Sequence, residues 1–129
     1  RQGDGMRQSF EVPWKLSGLN EYTRACRANR QLGAKMKREN QDAVLWAIKA
    51  ARLHPMRCPV DVHCTWYEKP GRGRLRDKDN IQMGVKFILD ALVEAGIIPD
   101  DGWGQIGRIS HDCFRASGEA HILIELEEA

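Results

Sequence analysis

Residues 76–101 read RDKDNIQMGVKFILDALVEAGIIPDD, and the middle of that stretch decides the fold. Ile81, Val85, Ile88, Leu89 and Leu92 recur at the spacing of one helical face, which predicts a core-facing helix from Asn80 to Ala95. Asp79 reads as its N-cap, and Gln82 three residues on completes an approximate capping box. Gly96 stands at the C′ position where helices commonly end. At about 100° per residue, Asp79, Lys86 and Asp90 fall within roughly 40° of one another, away from the apolar stripe. One polar edge of the predicted helix therefore carries the charges.

Upstream, residues 69–76 form a basic, glycine-containing connector, Lys69-Pro70-Gly71-Arg72-Gly73-Arg74-Leu75-Arg76, in which no helix is expected. Its glycines lack the Gly-Lys-Ser/Thr ending of a phosphate-binding P-loop. What it offers is point charge beside the carboxylates, suited to phosphodiester oxygens, so Lys69, Arg72, Arg74 and Arg76 are the candidate DNA-binding residues. The plain alternative is a solvated loop. Before it, Val60, Val62, Cys64 and Trp66 alternate with Asp61, His63, Thr65 and Tyr67, which predicts a strand with one buried face and a surface His63.

Further back, residues 31–53 carry a strong helix signal, with Ala43, Ala47, Ile48 and Ala51 on one face, joined by Val44, Met36 and Leu32. His54-Pro55 ends it, because the residue before a proline is pushed out of the helical region. Residues 16–29 read as a turn followed by loop or a first helical turn. Arg24, Arg27 and Arg30 recur there at helical spacing, and solvated surface is the favoured reading. Phe10 and Val12 alternate with Glu11 in a first strand from Arg7 to Val12, and Trp14 beyond Pro13 reads as a core anchor. Residues 1–5 are polar and glycine-rich and precede Met6, which reads as the natural start. They are expected to be a foreign or disordered leader outside a single domain of residues 6–129.

Downstream, Asp100-Asp101-Gly102-Trp103-Gly104 is turn chemistry. A strand is expected from Ile106 to Phe114, with Ile109 and Cys113 inward, and another from Ala120 to Leu126. Residues 116–119 would be a hairpin turn between them, and the acidic last residues would fray. The resulting expectation is an α+β fold: two principal helices packed on one mixed sheet of about four to five strands in a single compact domain.

A chain of 129 residues, 42% hydrophobic, can bury a core without disulfide or metal staples. No window approaches a membrane-spanning run and no signal peptide opens the chain, so a soluble cytoplasmic protein is expected. Cys26, Cys58, Cys64 and Cys113 show no C-x-x-C spacing, which fits reduced thiols. A zinc site from Cys58, Cys64, His54 or His63 would lack the paired-knuckle spacing of structural zinc. Residues 1–78 hold 17 Lys and Arg against 8 Asp and Glu, a net of +9, whereas residues 79–129 hold 3 against 10, a net of −7. Either the first part meets an anion such as a phosphate backbone, or the two parts neutralise each other through surface ion pairs.

If residues 76–79 are extended, Asp77 and Asp79 project to one side and Lys78 points away. Carboxylates converging so closely repel, and a bound cation relieves them; hard oxygen ligands suit Mg²⁺ or Mn²⁺. Asp101 would complete such a site if its loop folds back over the helix N-terminus. Lys86 could then neutralise charge building on a phosphorane-like transition state. The alternative for each piece is structural: an N-cap with a surface acid, and an ordinary turn before glycine.

The landmarks Arg76-Asp77-Lys78-Asp79-Asn80, Asp90-Ala91-Leu92, Ala95-Gly96 and Asp100-Asp101 resemble the signature of the RusA family of Holliday junction resolvases, whose D-x-D-N, D-A-L, A-G and D-D elements come in the same order. Pro13-Trp14, with Asn20 and Tyr22, is similar to that family's N-terminal segment. The resemblance implies that Asp77, Asp79 and Asp101 are essential Mg²⁺-binding carboxylates and that Asn80 belongs to the same motif. It further implies a homodimer that cuts two strands of a four-way DNA junction. Counting forward from Asp79 puts the family's catalytic lysine at Met83, whereas counting back from Asp90 puts it at Lys86; the segment is three residues longer here. Lys86 is taken as that lysine, displaced by about 4.5 Å along the same helix face. Trp103, beside the acidic loop, either stacks on an unpaired base or packs over the helix end.

The expected function is thus a Mg²⁺-dependent structure-specific DNA endonuclease, with Asp77, Asp79, Asp101 and Lys86 catalytic. One rival is a non-catalytic DNA-binding protein with the same fold and basic surface. A second, a transferase holding a nucleotide diphosphate on D-x-D, lacks a visible nucleotide-binding βαβ unit.

Overall fold

The computed structural model describes residues 5–129, so the expectation for the leader concerns, apart from Gly5, residues outside the described ones. The element order is β1 (Arg7–Val12), α1 (Leu19–Ala28), α2 (Arg30–Ala51), β2 (Val60–Glu68), α3 (Lys78–Gln82), α4 (Val85–Glu94), β3 (Ile106–Arg115) and β4 (His121–Glu128). The strands form one mixed sheet in the order β1-β4-β2-β3. β4 is antiparallel to both β1 and β2, and β2 is parallel to β3. The fold is α+β, with α2 and α4 as the principal helices, as expected from the two periodicities.

The buried positions of β1, β2 and β4 define the core. Val60, Val62, Cys64 and Trp66 of β2 share it with Ile122, Ile124 and Leu126 of β4. Helix α2 closes over them with Val44, Ala47 and Ile48, and α4 with Phe87, Ile88, Ala91 and Leu92. His63 lies on the opposite, polar side of β2, where its Nδ1 is 2.6 Å from Ser110 Oγ and its Nε2 3.1 Å from Asp112 Oδ2.

Several local expectations change. The segment before α2 is a full helix, α1; Glu21 accepts the Gly18 N–H at 2.8 Å, and Asn29 caps α2 by accepting from Gln31 and Leu32. Within α2, Ala51 and Leu32 are exposed, because the buried face follows Gly33, Asn40, Gln41, Val44 and Ile48 instead. Trp14 is 43% exposed and meets Trp46 edge-on at 5.2 Å; Leu16, at 3%, fills the core position. Ile109 is 42% exposed because β3 is an edge strand.

Residues 116–120 are not a hairpin turn, since β3 and β4 are separated by β2 and the link crosses its end, where the Ala116 N–H donates to Glu68 O. β4 instead pairs with β1 on one edge and β2 on the other, and its Ile122, Ile124 and Leu126 are buried, whereas β3 at the sheet edge has no buried residue. The C-terminus is likewise anchored. Glu128 is buried, and its two carboxylate oxygens accept from the backbone of Met6 and Arg57 at 2.9 and 2.7 Å.

The helix of residues 80–95 is two helices. At Met83-Gly84 the bonding tightens to i→i+3, from Gly84 N to Ile81 O and from Phe87 N to Gly84 O. A Cβ on Gly84 would lie 3.0 Å from the Trp66 indole, so the break brings backbone directly onto the central core aromatic. The break falls inside the segment that is longer than the RusA pattern. Downstream, α4 ends as expected: Gly96 has φ +77, with Gly96 N bonded to Val93 O and Ile97 N to Leu92 O, a Schellman ending.

Candidate functional site

The motif of residues 76–80 has a buried frame and an exposed pair. Arg76 is the frame's first member: its guanidinium makes a two-pronged contact with Glu68, Nε to Oε1 at 3.0 Å and Nη2 to Oε2 at 2.8 Å. Its Nη1 donates to Leu16 O and Glu21 Oε1, both at 3.0 Å. Asn80 is the second member, buried, with Oδ1 accepting the Asn20 N–H at 2.8 Å. The two side chains tie β2, α1 and α3 together across Gly18. A Cβ there would stand 2.6 Å from Asn80 Oδ1 and 2.9 Å from Arg76 Nη1. Gly18→Ala is therefore expected to cost about 1–3 kcal/mol, read as a lowered midpoint in urea unfolding; an unchanged midpoint would mean the frame yields freely.

Between these anchors, Asp77 and Asp79 are exposed. Residues 76–79 are not one extended run. Asp77 is the N-cap, extended at φ −63 and ψ 148, and Asp79 lies in the first turn of α3. The expected Asp79 cap and Gln82 capping box are thus replaced. Asp77 makes no side-chain cap bond, while Asp79 Oδ1 accepts the Asn80 N–H at 2.9 Å.

Asp101 is placed by a different device. Ile97 and Ile98 are buried after the Schellman turn, and the Ile97 carbonyl accepts from Met56 N, so Pro99-Asp100-Asp101 leaves a fixed point. Asp100 Oδ1 accepts the Asp101 N–H at 2.8 Å. Asp100 and Asp101 line a concavity of about 370 Å³ together with Lys37, Gln41, Lys86, Asp90 and Glu94. Asp77 and Asn80 line another, of about 290 Å³, with Lys15, Asn20 and Arg74. Asp101 and Lys86 are therefore brought to one hollow, and Asp77 to a second. Lys86 keeps company with Asp90, 4.0 Å away, while Asp79 lines neither hollow; the break at Met83-Gly84 divides the single polar edge that an unbroken helix would carry.

Among the described residues no group of three or more His, Cys, Asp or Glu is gathered as a metal site, the zinc combination included. The donor chemistry of the three aspartates nonetheless suits Mg²⁺. They are exposed hard-oxygen ligands, and among the described residues no Lys or Arg forms an ion pair with Asp77, Asp79, Asp100 or Asp101. Glu94 differs. It is occupied by Arg38 and Gln41, each at 2.8 Å, and the Arg38 bond holds its carboxyl below the usual range.

The basic connector divides into used and unused cations. Arg76 is committed to the frame, with 15% of its side chain exposed, while Lys69 pairs with Glu119 at 2.8 Å on the open surface, where the pair is weak enough for another anion to replace. A buried carboxylate, Glu68, explains the first; no sequence pattern marks it. Arg72 and Arg74 have no acidic partner among the described residues. Arg72 and Gly73 both have positive φ, and Gly71 and Arg74 exchange backbone bonds at 2.8 and 3.0 Å, so the loop is a tight hairpin tip. Arg24 and Arg27 of α1 line a further hollow with Asn20, the residue that also borders the Asp77 hollow. Basic groups thus line the Asp77 hollow, with Lys15 and Arg74, and the hollow that shares Asn20 with it.

Neutralising Arg72 and Arg74 together is expected to flatten the salt dependence of DNA binding by about 1–2 in log–log slope. An unchanged slope in a fluorescence-anisotropy titration would remove the loop from the interface.

Ion pairs do join the basic and acidic parts of the chain, Arg7 with Glu127 and Arg38 with Glu94 among them, but among the described residues the arginines of α1 and the hairpin tip have no acidic partner. Trp103 is fully exposed, so it does not pack over the helix end. The four cysteines are free, and burial pushes the Cys64 thiol up to about 12. No helix among the described residues is long and apolar enough to cross a membrane. In comparisons with known proteins, no family model and no curated protein matches the chain.

Proposed function

We propose that the protein is a metal-dependent, structure-specific DNA endonuclease of the RusA type, acting as a homodimer on four-way junctions. The observation that carries this reading is the motif's construction: Arg76 and Asn80 are spent on a buried frame, and Asp77 and Asp79 are held in solvent between them without a cationic partner among the described residues. Asp79 also serves the start of α3, but Asp77 makes no cap bond, and both stand near arginines that have no acidic partner among the described residues.

Asp77, Asp79 and Asp101 would hold Mg²⁺, which supplies Lewis-acid polarisation of the phosphodiester and of the attacking water. The chain's own groups do the rest. Arg72 and Arg74 meet backbone phosphates, and the Lys86 ammonium lies beside the Asp101 hollow, where it can neutralise charge on a non-bridging oxygen. Trp103 presents an open ring next to the same loop, suited to stacking on an unpaired base.

The test is incubation with a synthetic four-way junction and Mg²⁺ or Mn²⁺ over a range of pH. Paired nicks in opposing strands are expected, and their absence under all conditions would sink the enzyme reading. The separation of Asp77 from the Asp101 hollow favours one rival, a DNA-binding protein without catalysis. That rival predicts junction binding indifferent to metal.

A further inference from the structure

Nothing in the sequence singles out Lys37, which lies on α2 about forty residues before the motif. It is half-buried, and its Nζ stands 3.8 Å from Asp90 Oδ2. Lys86 Nζ stands 4.0 Å from the same oxygen. One carboxylate of α4 thus faces two ammonium groups from different helices. All three side chains line the hollow that also holds Asp100 and Asp101.

The charge balance around Asp90 is uneven. Arg38 is shared between Glu94 and Asp42, whereas Asp90 alone faces two lysines, so one positive charge is left over on the Lys37–Lys86 pair. Asp100 and Asp101 have no cationic partner among the described residues. A surplus cation beside uncompensated carboxylates is matched by a phosphate together with a divalent ion. Contacts of 3.8 and 4.0 Å are also long for charge-assisted hydrogen bonds, so either ammonium can turn to a new anion while Asp90 keeps both nearby.

We infer that Lys37 is a second phosphate-binding residue of this site and that Asp90 is the positioning residue that holds Lys37 and Lys86 at its mouth. The inference rests on the nuclease reading for the identity of the anion, a DNA phosphate. It extends the site from the loop and α4 onto α2.

The test compares wild type, Lys37→Met, Lys37→Arg, Asp90→Asn and Asp90→Glu, with Lys49→Met as a control. Lys49 is exposed on the same helix, about 18 Å further along, so its loss removes equal charge away from the hollow. Junction binding is titrated against salt with Ca²⁺ in place of Mg²⁺, and single-turnover cutting is followed with Mg²⁺. Lys37→Met is expected to lower the salt slope by about 0.9, the value for one phosphate contact, with Lys37→Arg restoring it and Lys49→Met leaving it unchanged. Asp90→Asn is expected to bind at least as tightly as wild type but to cut about tenfold more slowly at saturating protein, with recovery in Asp90→Glu.

Lys37→Met behaving like Lys49→Met overturns the role of Lys37, and Asp90→Asn cutting at the wild-type rate overturns that of Asp90. Both results leave the nuclease reading standing. A wild type that shows the Lys37 slope effect but never cuts overturns the nuclease reading and keeps Lys37 as a phosphate contact. A wild type that does not bind the junction overturns both.

Discussion

Asp77→Asn and Asp79→Asn are each expected to give a folded protein that still binds a four-way junction yet cuts it at least about a hundredfold more slowly. The size follows from what the substitution removes. Each carboxylate is exposed and bears no ion pair among the described residues, so the loss of charge costs the fold almost nothing. Asparagine keeps shape and one oxygen but surrenders the formal charge that a hard divalent ion requires. Repulsion on the phosphate backbone is meanwhile reduced, so junction affinity should hold or rise. The two variants should differ in stability, because Asp79 favours the start of α3 with its charge and accepts the Asn80 N–H, whereas Asp77 makes no cap bond. Thermal melting beside single-turnover cutting separates these effects. Equal cutting by wild type and both variants would remove the pair from the chemistry, and the non-catalytic reading would take its place.

The helical and strand faces of the core could be read because they are written locally. Val60 to Trp66 alternate, Ile88 to Leu92 repeat at helical spacing, and both are buried where the pattern puts them. What the sequence conceals is set by partners far along the chain. Trp14 looks like an anchor by type, but Leu16 and not Trp14 meets the core after Pro13. The β4 strand looks like the second arm of a hairpin, yet it lies between β1 and β2, both remote from it in the chain. The break at Gly84 falls where the backbone meets Trp66, eighteen residues earlier, a contact that no helical wheel contains. The same limit applies to the site. Asp77, Asp79 and Asp101 stand out as charges near turns, while Lys37 and Asp90 acquire meaning only once α2 and α4 are side by side.

Arg76→Met is expected to be the most destabilising single change in the motif, by about 3–5 kcal/mol, or a melting decrease on the order of 10–20 °C. The side chain is 15% exposed and its partner Glu68 only 5%, so removing the guanidinium strands a carboxylate in the interior. The Leu16 carbonyl and the Glu21 carboxylate lose a donor in the same step. Arg76→Lys keeps the charge but not the planar fork that meets both Glu68 oxygens, and should recover only part of the loss. A double change to Arg76→Met with Glu68→Met removes both charges and should be markedly more stable than Arg76→Met alone, since an apolar pair no longer carries an uncompensated ion. A residue that instead served DNA directly would give the opposite pattern: an unchanged melt and a flatter salt slope. Cutting should fall in Arg76→Met as well, and in proportion to the damage to the frame, because Asp77 is bonded in sequence to the residue that fixes its place. Recovery of both melting temperature and cutting in the double variant would assign Arg76 to holding the aspartates, whereas recovery of the melt without the cutting would give the guanidinium a further part in the reaction.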